Sequence, residues 1–532
     1  MNRLLICRLL GLIALLIGGS MALSLPWALP LFGQTKHFEA ASFFALLGSM
    51  ATCGLVGGAL MYVGRRGKGQ TLYRREAIAV VGLSWLLATL LGALPFWLSE
   101  TCIRIDDEGN RVRMGIADGI FESASGFSGT GATVLTNLEA SADPDVPSLV
   151  PRAILFWRSQ THFLGGLGIM VLFVAILGMG SAGKALLLTE MPGPSQESAH
   201  ARTQRAAATF AMIFVLLTAV LTLLLRLQGV SWFDALCHAF GTIATGGFST
   251  HNDSVEHFHS VGVEMTITVF MILACTNFTL LYYLLLRRPG KLLGDLEFRV
   301  YLAVMAAVAL MVILALRFDG HYDDQGHWTR YSLADSVRYG LFQVASIMTN
   351  TGFGTDDFDR WNSFSRGLLV LLMFVGGCAG STSCSIKVIR HILFFKILWL
   401  ELEQVFHPSV VRPLRLGDKP LEDPDIRKDV VMYFGVIVLI FVIGWMALIA
   451  LEPDSTWIEA GQPAGDKLID CASAVAATLN GVGPGLGIVG EAQNYAHFHW
   501  PGKFVLTWMM LLGRLEVFVL LVLFVPRFWR GR

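Results

Sequence analysis

Four short segments rich in glycine, threonine and asparagine recur along the chain, and their oxygen atoms could bind a cation. Their central glycines are Gly131, Gly247, Gly352 and Gly483, and each lies 13 residues after the start of a short apolar run, at Asp118, Asp234, Tyr339 and Asp470. The four segments are Thr130-Gly131-Ala132, Thr245-Gly246-Gly247-Phe248, Asn350-Thr351-Gly352-Phe353 and Asn480-Gly481-Val482-Gly483-Pro484.

None of these segments contains a titratable side chain, so any ligands are carbonyl and hydroxyl oxygens. Such a set suits a monovalent alkali cation better than Ca²⁺ or Mg²⁺, whose sites usually include carboxylates. The sequence therefore predicts a selectivity filter. The expected ligands are at Thr130, Gly131, Thr245, Gly246, Thr351, Gly352, Val482 and Gly483, with Gly247, Asn350, Asn480 and Gly481 completing the filter.

Each apolar run is too short to cross a bilayer, which takes about 20 helical residues. A short helix followed by a glycine turn, placed between two longer apolar segments, predicts a re-entrant pore hairpin, because irregular backbone at membrane depth must line a cavity or pack in protein. Six residues before each central glycine stands a small residue: Ser125, Gly241, Ser346 and Ala477. Small residues there would let four short helices approach one axis.

The whole chain fits a polytopic membrane protein. It has 532 residues, of which 54% are hydrophobic and only 15% charged, and a soluble protein would carry more charge. Apolar segments of spanning length occupy 4–33, 39–64, 76–98, 152–180, 206–228, 260–286, 298–317, 366–398, 429–451 and 500–526. We interpret the first as a span and not as a cleaved signal peptide.

Because the hairpins follow the third, fifth, seventh and ninth spans, the fold class is all-α, with four pseudo-symmetric helix–hairpin–helix units and two extra N-terminal helices. The predicted divisions are 1–71 for the N-terminal pair and 72–205, 206–296, 297–424 and 425–532 for the pore units.

Charge patterning orients the chain. Arginine and lysine cluster in the loops that share a side with both termini, and the opposite loops are acidic, which predicts cytoplasmic N- and C-termini. All four hairpins then enter from the acidic face, where negative charge would concentrate cations, although such loops can also be merely solvated. The formal net charge is zero, so nothing indicates a nucleic-acid partner. The eight cysteines show no paired metal spacing.

Three further features lie at membrane depth. Glu122 and Arg158 are expected to form a buried structural pair, since ionisable residues there rarely stand alone. The eighth span is interrupted by small residues, which predicts a loop under the filter or, alternatively, a site of close helix packing. The expected gating residues are Gly376, Gly377, Gly380, Ser381, Thr382, Lys387 and Arg514. Arg514 lies too deep in the last span to reach water easily, and we expect it to bind carbonyl groups of the interrupted span.

Several motifs resemble one family. SGFSGTGATVL, WRSQTHFLGGLGIMV, SWFDALCHAFGTIATGGFST, GGCAGSTSCSIKVIRH, NGVGPGLG and LLGRLEVFVLLVLFVPRFW are similar to the TrkH subunits of bacterial Trk potassium-uptake systems, in the Trk/Ktr/HKT superfamily of cation transporters. The resemblance covers about residue 72 to the C-terminus. It implies a K⁺-conducting inner-membrane protein, a homodimer, a cytoplasmic nucleotide-binding TrkA-like partner, and gating by the interrupted helix and the arginine of the last span. It implies no organic cofactor.

The chain departs from the family pattern at two places. Ser383, Cys384 and Ser385 replace further glycines of the intramembrane loop, and His162 stands in a run where the family has Leu-Thr-Gln-Trp. Relatives with serine at the first filter glycine pass sodium more readily, so Gly131 implies a preference for potassium. The competing hypotheses are a sodium-permeable or sodium-coupled relative, a membrane-embedded enzyme, and a sensor that has kept the fold without conducting.

Overall fold

A computed structural model describes residues 1–33, 37–67, 73–105, 110–139, 149–177, 199–322, 327–408, 414–416, 419–420 and 425–530. Within these ranges, six single helices and two sharply bent helix pairs are long and apolar enough to cross a bilayer. The predicted fourth span corresponds to one helix of 26 residues, and the predicted eighth span is broken into two helices. The chain is therefore helical in every segment predicted to span.

The helices, numbered in chain order, are α1 Arg3–Met21, α2 Pro30–Gly33, α3 Ala40–Val63, α4 Arg74–Leu98, α5 Ile116–Ser128, α6 Arg152–Leu177, α7 Ala199–Leu227, α8 Trp232–Ile243, α9 Val261–Ala274, α10 Phe278–Leu285, α11 Pro289–Leu293, α12 Leu296–Phe318, α13 Leu333–Met348, α14 Ser363–Leu372, α15 Val388–Phe406, α16 Asp425–Leu451, α17 Ser455–Glu459, α18 Lys467–Asn480, α19 Trp500–Arg514, α20 Phe518–Leu521 and α21 Pro526–Trp529. Three two-stranded antiparallel hairpins lie in loops: β1 Cys102–Ile105 with β2 Arg111–Arg113, β3 His321–Tyr322 with β4 Trp328–Thr329, and β5 Arg415–Leu416 with β6 Lys419–Pro420.

The four predicted hairpin helices are α5, α8, α13 and α18, which we call the pore helices. Each has an aspartate in its first turn, which stabilises the positive end of the helix dipole. Ser231 and Ser332 cap α8 and α13 by accepting backbone N–H groups. The third pore helix therefore begins at Leu333, after the Ser332 cap, six residues before the apolar run that starts at Tyr339.

Two spans predicted as continuous are bent. The sixth span turns by 109° between α9 and α10, and the tenth turns by 112° after α19. In the sixth, Asn277 accepts the N–H of Thr279 and starts a new helix. In the tenth, Glu516 and Val517 adopt positive φ angles of 53° and 57°, which end α19 at Arg514.

Apolar packing divides the bundle into two main cores. One core joins the N-terminal helices with the first and fourth pore units. The other is built mainly from the second and third pore units. The four pore helices lie where the two cores meet, so their small and polar residues are held between large apolar surfaces.

Candidate functional site: a ring of backbone carbonyl groups

The four predicted filter segments share one backbone conformation. The central glycines all have positive φ angles, of 83°, 77°, 75° and 97° along the chain. The residues two positions earlier, Gly129, Thr245, Asn350 and Gly481, are also left-handed, with φ between 54° and 67°. Thr245 accepts a conformation that threonine seldom adopts. Four segments of different sequence thus follow the same path.

The same backbone hydrogen bond fixes each segment to its pore helix. The N–H groups of Thr130, Gly246, Thr351 and Val482 donate to carbonyl oxygens five residues earlier, which are those of Ser125, Gly241, Ser346 and Ala477, at 2.7 to 3.0 Å. These acceptors are the four small residues of the sequence pattern. With its N–H bound to the helix, each filter residue leaves its own carbonyl free to face the neighbouring segment.

The four segments close into a ring in chain order. A methyl group on Gly131 would overlap the carbonyl oxygen of Gly246, and one on Gly247 would overlap that of Thr351. In the same way, a methyl group on Gly352 would overlap the carbonyl oxygen of Val482, and one on Gly483 would overlap that of Thr130. Each central glycine therefore lies directly against a carbonyl group of the next unit. Only glycine allows both this approach and the positive φ angle.

Two predicted filter residues, Asn480 and Asn350, differ from the ring residues in their side-chain contacts. Asn480 is the last residue of α18, and its side chain accepts from Ser385 and donates to Ala476. Asn350 is fully buried, and among the described residues its side-chain amide has no hydrogen-bond partner. Both asparagines lie at the inner end of the filter, toward the intramembrane loop.

The predicted pair of Glu122 and Arg158 is present and buried. Arg158 Nε donates to Glu122 at 2.6 Å, and the same carboxylate accepts the N–H of Val134 at 3.0 Å. Arg158 Nη1 donates to the carbonyl of Ser249 at 2.8 Å. The pair therefore links the chain just after the first central glycine to the chain just after the second, and it holds the outer ends of two filter segments together.

His162 supports the filter from behind, which the sequence did not reveal beyond its departure from the family pattern. Its Nε2 accepts the N–H of Phe248 at 3.2 Å, so Nδ1 carries the proton and donates to Gly126 at 2.7 Å. The imidazole also stacks on the Phe248 ring, with centroids 4.1 Å apart. A methyl group on Gly246 would overlap the imidazole, so this ring fills the space behind the second segment.

A cavity of about 110 Å³ opens on the outer side of the ring, lined by all four central glycines. Acidic groups surround it. Burial raises the pKa of Asp359 to about 7, with nearby Asp357 adding to the rise. Burial also raises the pKa of Glu491, which lines the cavity, well above its usual range. This outer vestibule therefore carries less negative charge at neutral pH than its count of carboxylates implies.

The interrupted eighth span lies directly under the filter. Its loop runs between α14 and α15. A methyl group on Gly481 would overlap the Cys384 side chain, and Cys384 Sγ lies 3.6 Å from the Ser128 carbonyl oxygen. Lys387 is buried and donates to the carbonyl and hydroxyl oxygens of Ser383. The loop thus touches the inner ends of the first and fourth segments.

Arg514 joins this loop to the last span. Its Nη1 donates to the Thr382 carbonyl at 2.8 Å and contacts Cys384 Sγ at 3.1 Å, and its guanidinium carbon would lie 3.6 Å from a methyl group on Gly129. Nε and Nη2 have no hydrogen-bond partner within the described part of the chain. The expected contact with a carbonyl of the interrupted span is present. The depth argument behind it was wrong, because α19 ends at Arg514 and does not continue to Val525.

The loop is also tied to the break in the sixth span. Cys378 N–H donates to the Cys275 carbonyl at 2.9 Å, and Phe278 N–H donates to the Gly380 carbonyl at 3.1 Å. Two interrupted helices therefore satisfy each other's exposed backbone groups, as irregular backbone at membrane depth requires. Gly376 and Gly377 are buried against Cys384 and Cys275, and Ser381 donates to Cys378.

Sequence reasoning missed two carboxylates that hold this region. Glu297 accepts the N–H groups of Ala379 and Ile389, at 2.8 and 3.0 Å, on either side of the loop. Glu516 pairs with Arg390 at 2.7 Å. The available signal was that each is an acid within or beside an apolar span.

Comparison with known proteins agrees with this geometry. Residues 44–530 match the family model of TrkH, described as a cation transport protein. The chain belongs to the TrkH family. It is 37% identical to the Trk system potassium uptake protein TrkH of Salmonella typhimurium and 36% identical to that of Escherichia coli K12, each over 99% of both chains.

The crystal structure of the potassium transporter TrkH from Vibrio parahaemolyticus superimposes with a TM-score of 0.81 at 31% identity, covering all of both chains. These matches confirm the predicted all-α polytopic fold. Members of this family are cation transporters, so the competing hypothesis of a membrane-embedded enzyme is excluded.

Proposed function

We propose that this TrkH family member takes up K⁺ through the carbonyl ring formed by the four filter segments. The observation that carries the proposal is the close contact of each central glycine with a carbonyl group of the next unit, which occurs four times and closes a ring. Carbonyl oxygens on one axis can replace the hydration shell of an alkali cation without a net charge. The pore helices direct their C-terminal, partially negative ends toward the same place. The relatives named as potassium uptake proteins support K⁺ as the transported ion.

The loop that contains Gly376, Gly377, Gly380, Ser381 and Thr382 is proposed as the gate. It lies against the inner end of the filter and is held by Arg514 and Lys387. In this proposal both cations lie beside the path of K⁺, so they oppose K⁺ exit until the loop moves. Opening would break the Arg514–Thr382 hydrogen bond, because the loop cannot leave the axis while it is held.

The wider assembly follows by analogy with Trk systems. We propose a homodimer in the bacterial inner membrane, with cytoplasmic termini and a cytoplasmic nucleotide-binding partner of the TrkA type that acts on the gate. The proposed units are 1–71, 72–205, 206–296, 297–424 and 425–532. The backbone conformation that the four filter segments share supports the division into four pore units.

The alternative is a sodium-permeable or sodium-coupled transporter of the same superfamily. Purified full-length protein in liposomes, tested with K⁺ and Na⁺ gradients imposed separately, decides between them. We expect K⁺ flux well above Na⁺ flux, with no requirement for Na⁺. Equal fluxes, or K⁺ flux that depends on Na⁺, would favour the alternative, and no flux of either ion in folded protein would favour a sensor.

A further inference from the structure

A cluster of two histidines and a glutamate lies at the outer mouth of the pore, outside the filter and the gate. The ligand atoms of Glu139, His251 and His257 lie within 4.8 Å of one another. Glu139 Oε1 is 3.6 Å from His251 Nδ1 and 3.8 Å from His257 Nδ1. A tetrahedral zinc site, with bonds of about 2.0 to 2.2 Å, separates its ligand atoms by about 3.3 Å. A rotation of the His257 ring would therefore bring the three ligands to coordination distance.

The surroundings favour a metal over a simple ion pair. Both ring nitrogens of His251 are buried, and within the described residues neither makes a hydrogen bond. On the side away from Glu139, its Nε2 lies 3.5 Å from Asp234 Oδ1. A carboxylate behind a ligating histidine orients the ring and raises its basicity, as is usual at zinc sites. Thr250 and Ser231 each donate to Asp234 at 2.6 Å and hold that carboxylate in place.

Hydrogen bonds bring the three ligands together from separate parts of the loops. Leu138 N–H donates to Asn252 at 2.8 Å, and Asn252 in turn donates to Asn137 at 3.1 Å. These contacts place Glu139 beside His251. The imidazoles of His251 and His257 stack with centroids 3.5 Å apart. The His257 side chain is 41% exposed, so it can turn out of the stack to direct Nδ1 at a shared ion.

We propose that Glu139, His251 and His257 bind a transition-metal cation, Zn²⁺ above all, and that the bound ion lowers K⁺ entry. Two imidazoles and one carboxylate match the ligand preference of zinc, and water would occupy the fourth position. His251 lines the same outer cavity as Gly131 and Gly247. A bound divalent cation would therefore add positive charge where K⁺ approaches, and it would also pull on the loops that continue from two filter segments. The effect on flux rests on the proposed K⁺ pore, whereas metal binding does not.

Binding is tested by titrating Zn²⁺ into the purified full-length protein by calorimetry, with Mg²⁺ as the comparison metal. We expect one Zn²⁺ site per chain, at least tenfold weaker in His257→Ala and in Glu139→Gln. His259→Asn is the matched control, since this histidine lies in the same loop, is exposed, and has a positive φ angle of 44° that asparagine tolerates. Equal Zn²⁺ affinity in the wild type and His257→Ala, or equal loss in His259→Asn, would overturn the site.

The effect on transport is tested by tracer K⁺ uptake into liposomes that contain the same variants. Zn²⁺ added to the outer face should slow uptake by the wild type and by His259→Asn, and it should not slow uptake by His257→Ala. Zn²⁺ binding without slower uptake in the wild type would overturn the inhibitory role and leave the site intact. A wild type that binds Zn²⁺ but transports no K⁺ would contradict the proposed function and not the metal site.

Discussion

The filter and the loop beneath it are both made of glycine, serine and threonine, yet they are held in opposite ways. In the filter, each of the four segments makes the same hydrogen bond to its own pore helix and the same close contact with the next unit. The loop occurs once, and its bonds run to other spans: to Cys275 in the sixth and to Arg514 in the last.

Buried polar atoms without partners also lie on the inner side of the ring. The backbone N–H groups of Thr130, Gly246, Thr351 and Val482 are bonded to their pore helices, whereas the side chains of Asn350 and Arg514, which face the inner side, retain unpaired polar atoms among the described residues. Buried polar groups without partners cost free energy, about 1 to 3 kcal/mol each. A region that contains them has more to gain from rearrangement. The comparison indicates a ring fixed by repeated local bonds and a loop that depends on single bonds to other spans.

The largest effect should come from a side chain inside the ring. Gly131→Ser introduces a Cβ that overlaps the Gly246 carbonyl and strains a φ angle of 83°, so the ring must open locally. We expect the ratio of K⁺ to Na⁺ flux in liposomes to fall by about tenfold or more, which corresponds to about 1.4 kcal/mol. Gly262→Ser, at a helical glycine with only ordinary contacts, is the control. An unchanged flux ratio in a folded Gly131→Ser protein would contradict the filter assignment.

Removing the positive charge of Arg514 below the filter should raise K⁺ flux without changing selectivity. Two unit charges about 5 Å apart repel by about 3 kcal/mol at an effective dielectric constant of about 20. Arg514→Ala removes that repulsion and releases the Thr382 carbonyl. We expect basal K⁺ flux to increase by about tenfold or more, while the ratio of K⁺ to Na⁺ flux stays constant. Arg514→Lys keeps the charge and should stay close to the wild type. Lower or unchanged flux in folded Arg514→Ala would refute the gating role.

The sequence located the four repeated glycine turns because their determinants are local. Spacing located the four glycines, and the small residues Ser125, Gly241, Ser346 and Ala477 marked the carbonyl acceptors. A serine–aspartate pair at Ser332 and Asp335 could also have located the true start of the third pore helix.

The bends in the sixth and tenth spans were not predictable in the same way. A β-branched residue such as Val517 disfavours the positive φ angle that it adopts. Tertiary bonds compensate: the break in the sixth span is completed by Cys378 and Gly380, about 100 residues later in the chain. Such pairings depend on which broken helix meets which, and no periodicity within one span contains that information.

A smaller effect should follow from weakening the support behind the second segment. His162 uses both ring nitrogens, one toward Phe248 and one toward Gly126. His162→Gln keeps one acceptor and one donor but loses the ring that stacks on Phe248, so the segment should loosen without collapsing. We expect a decrease of about fivefold or less in the ratio of K⁺ to Na⁺ flux, equivalent to about 1 kcal/mol. Flux ratios identical to the wild type in both His162→Gln and His162→Ala would show that the ring supports folding and not selectivity.

The smallest predicted effect concerns the charge of the outer vestibule. Burial and the neighbouring carboxylates of Asp357 and Asp470 raise the pKa of Asp359 to about 7, against the opposing effect of Arg366. The carboxyl is therefore mostly neutral at pH 6 and mostly negative at pH 8. Negative charge at a pore mouth raises the local cation concentration, so K⁺ uptake at low external K⁺ should rise across this interval.

The variant Asp359→Asn isolates that contribution, since it is neutral at every pH and keeps an oxygen that can accept the Gly487 N–H. At low external K⁺, we expect uptake by the wild type to increase about twofold between pH 6 and 8, as for one charge at the pore mouth. This increase should be smaller in Asp359→Asn. At saturating K⁺, it should vanish for both proteins. Asp454→Asn changes an exposed carboxylate in the loop after α16 and should keep the wild-type pH profile. Because the vestibule charge changes the local cation concentration whereas the ring determines selectivity, the ratio of K⁺ to Na⁺ flux should not change with pH. A pH-dependent ratio would mean that Asp359 also acts on the filter, through its bond to Gly487, just after the fourth segment.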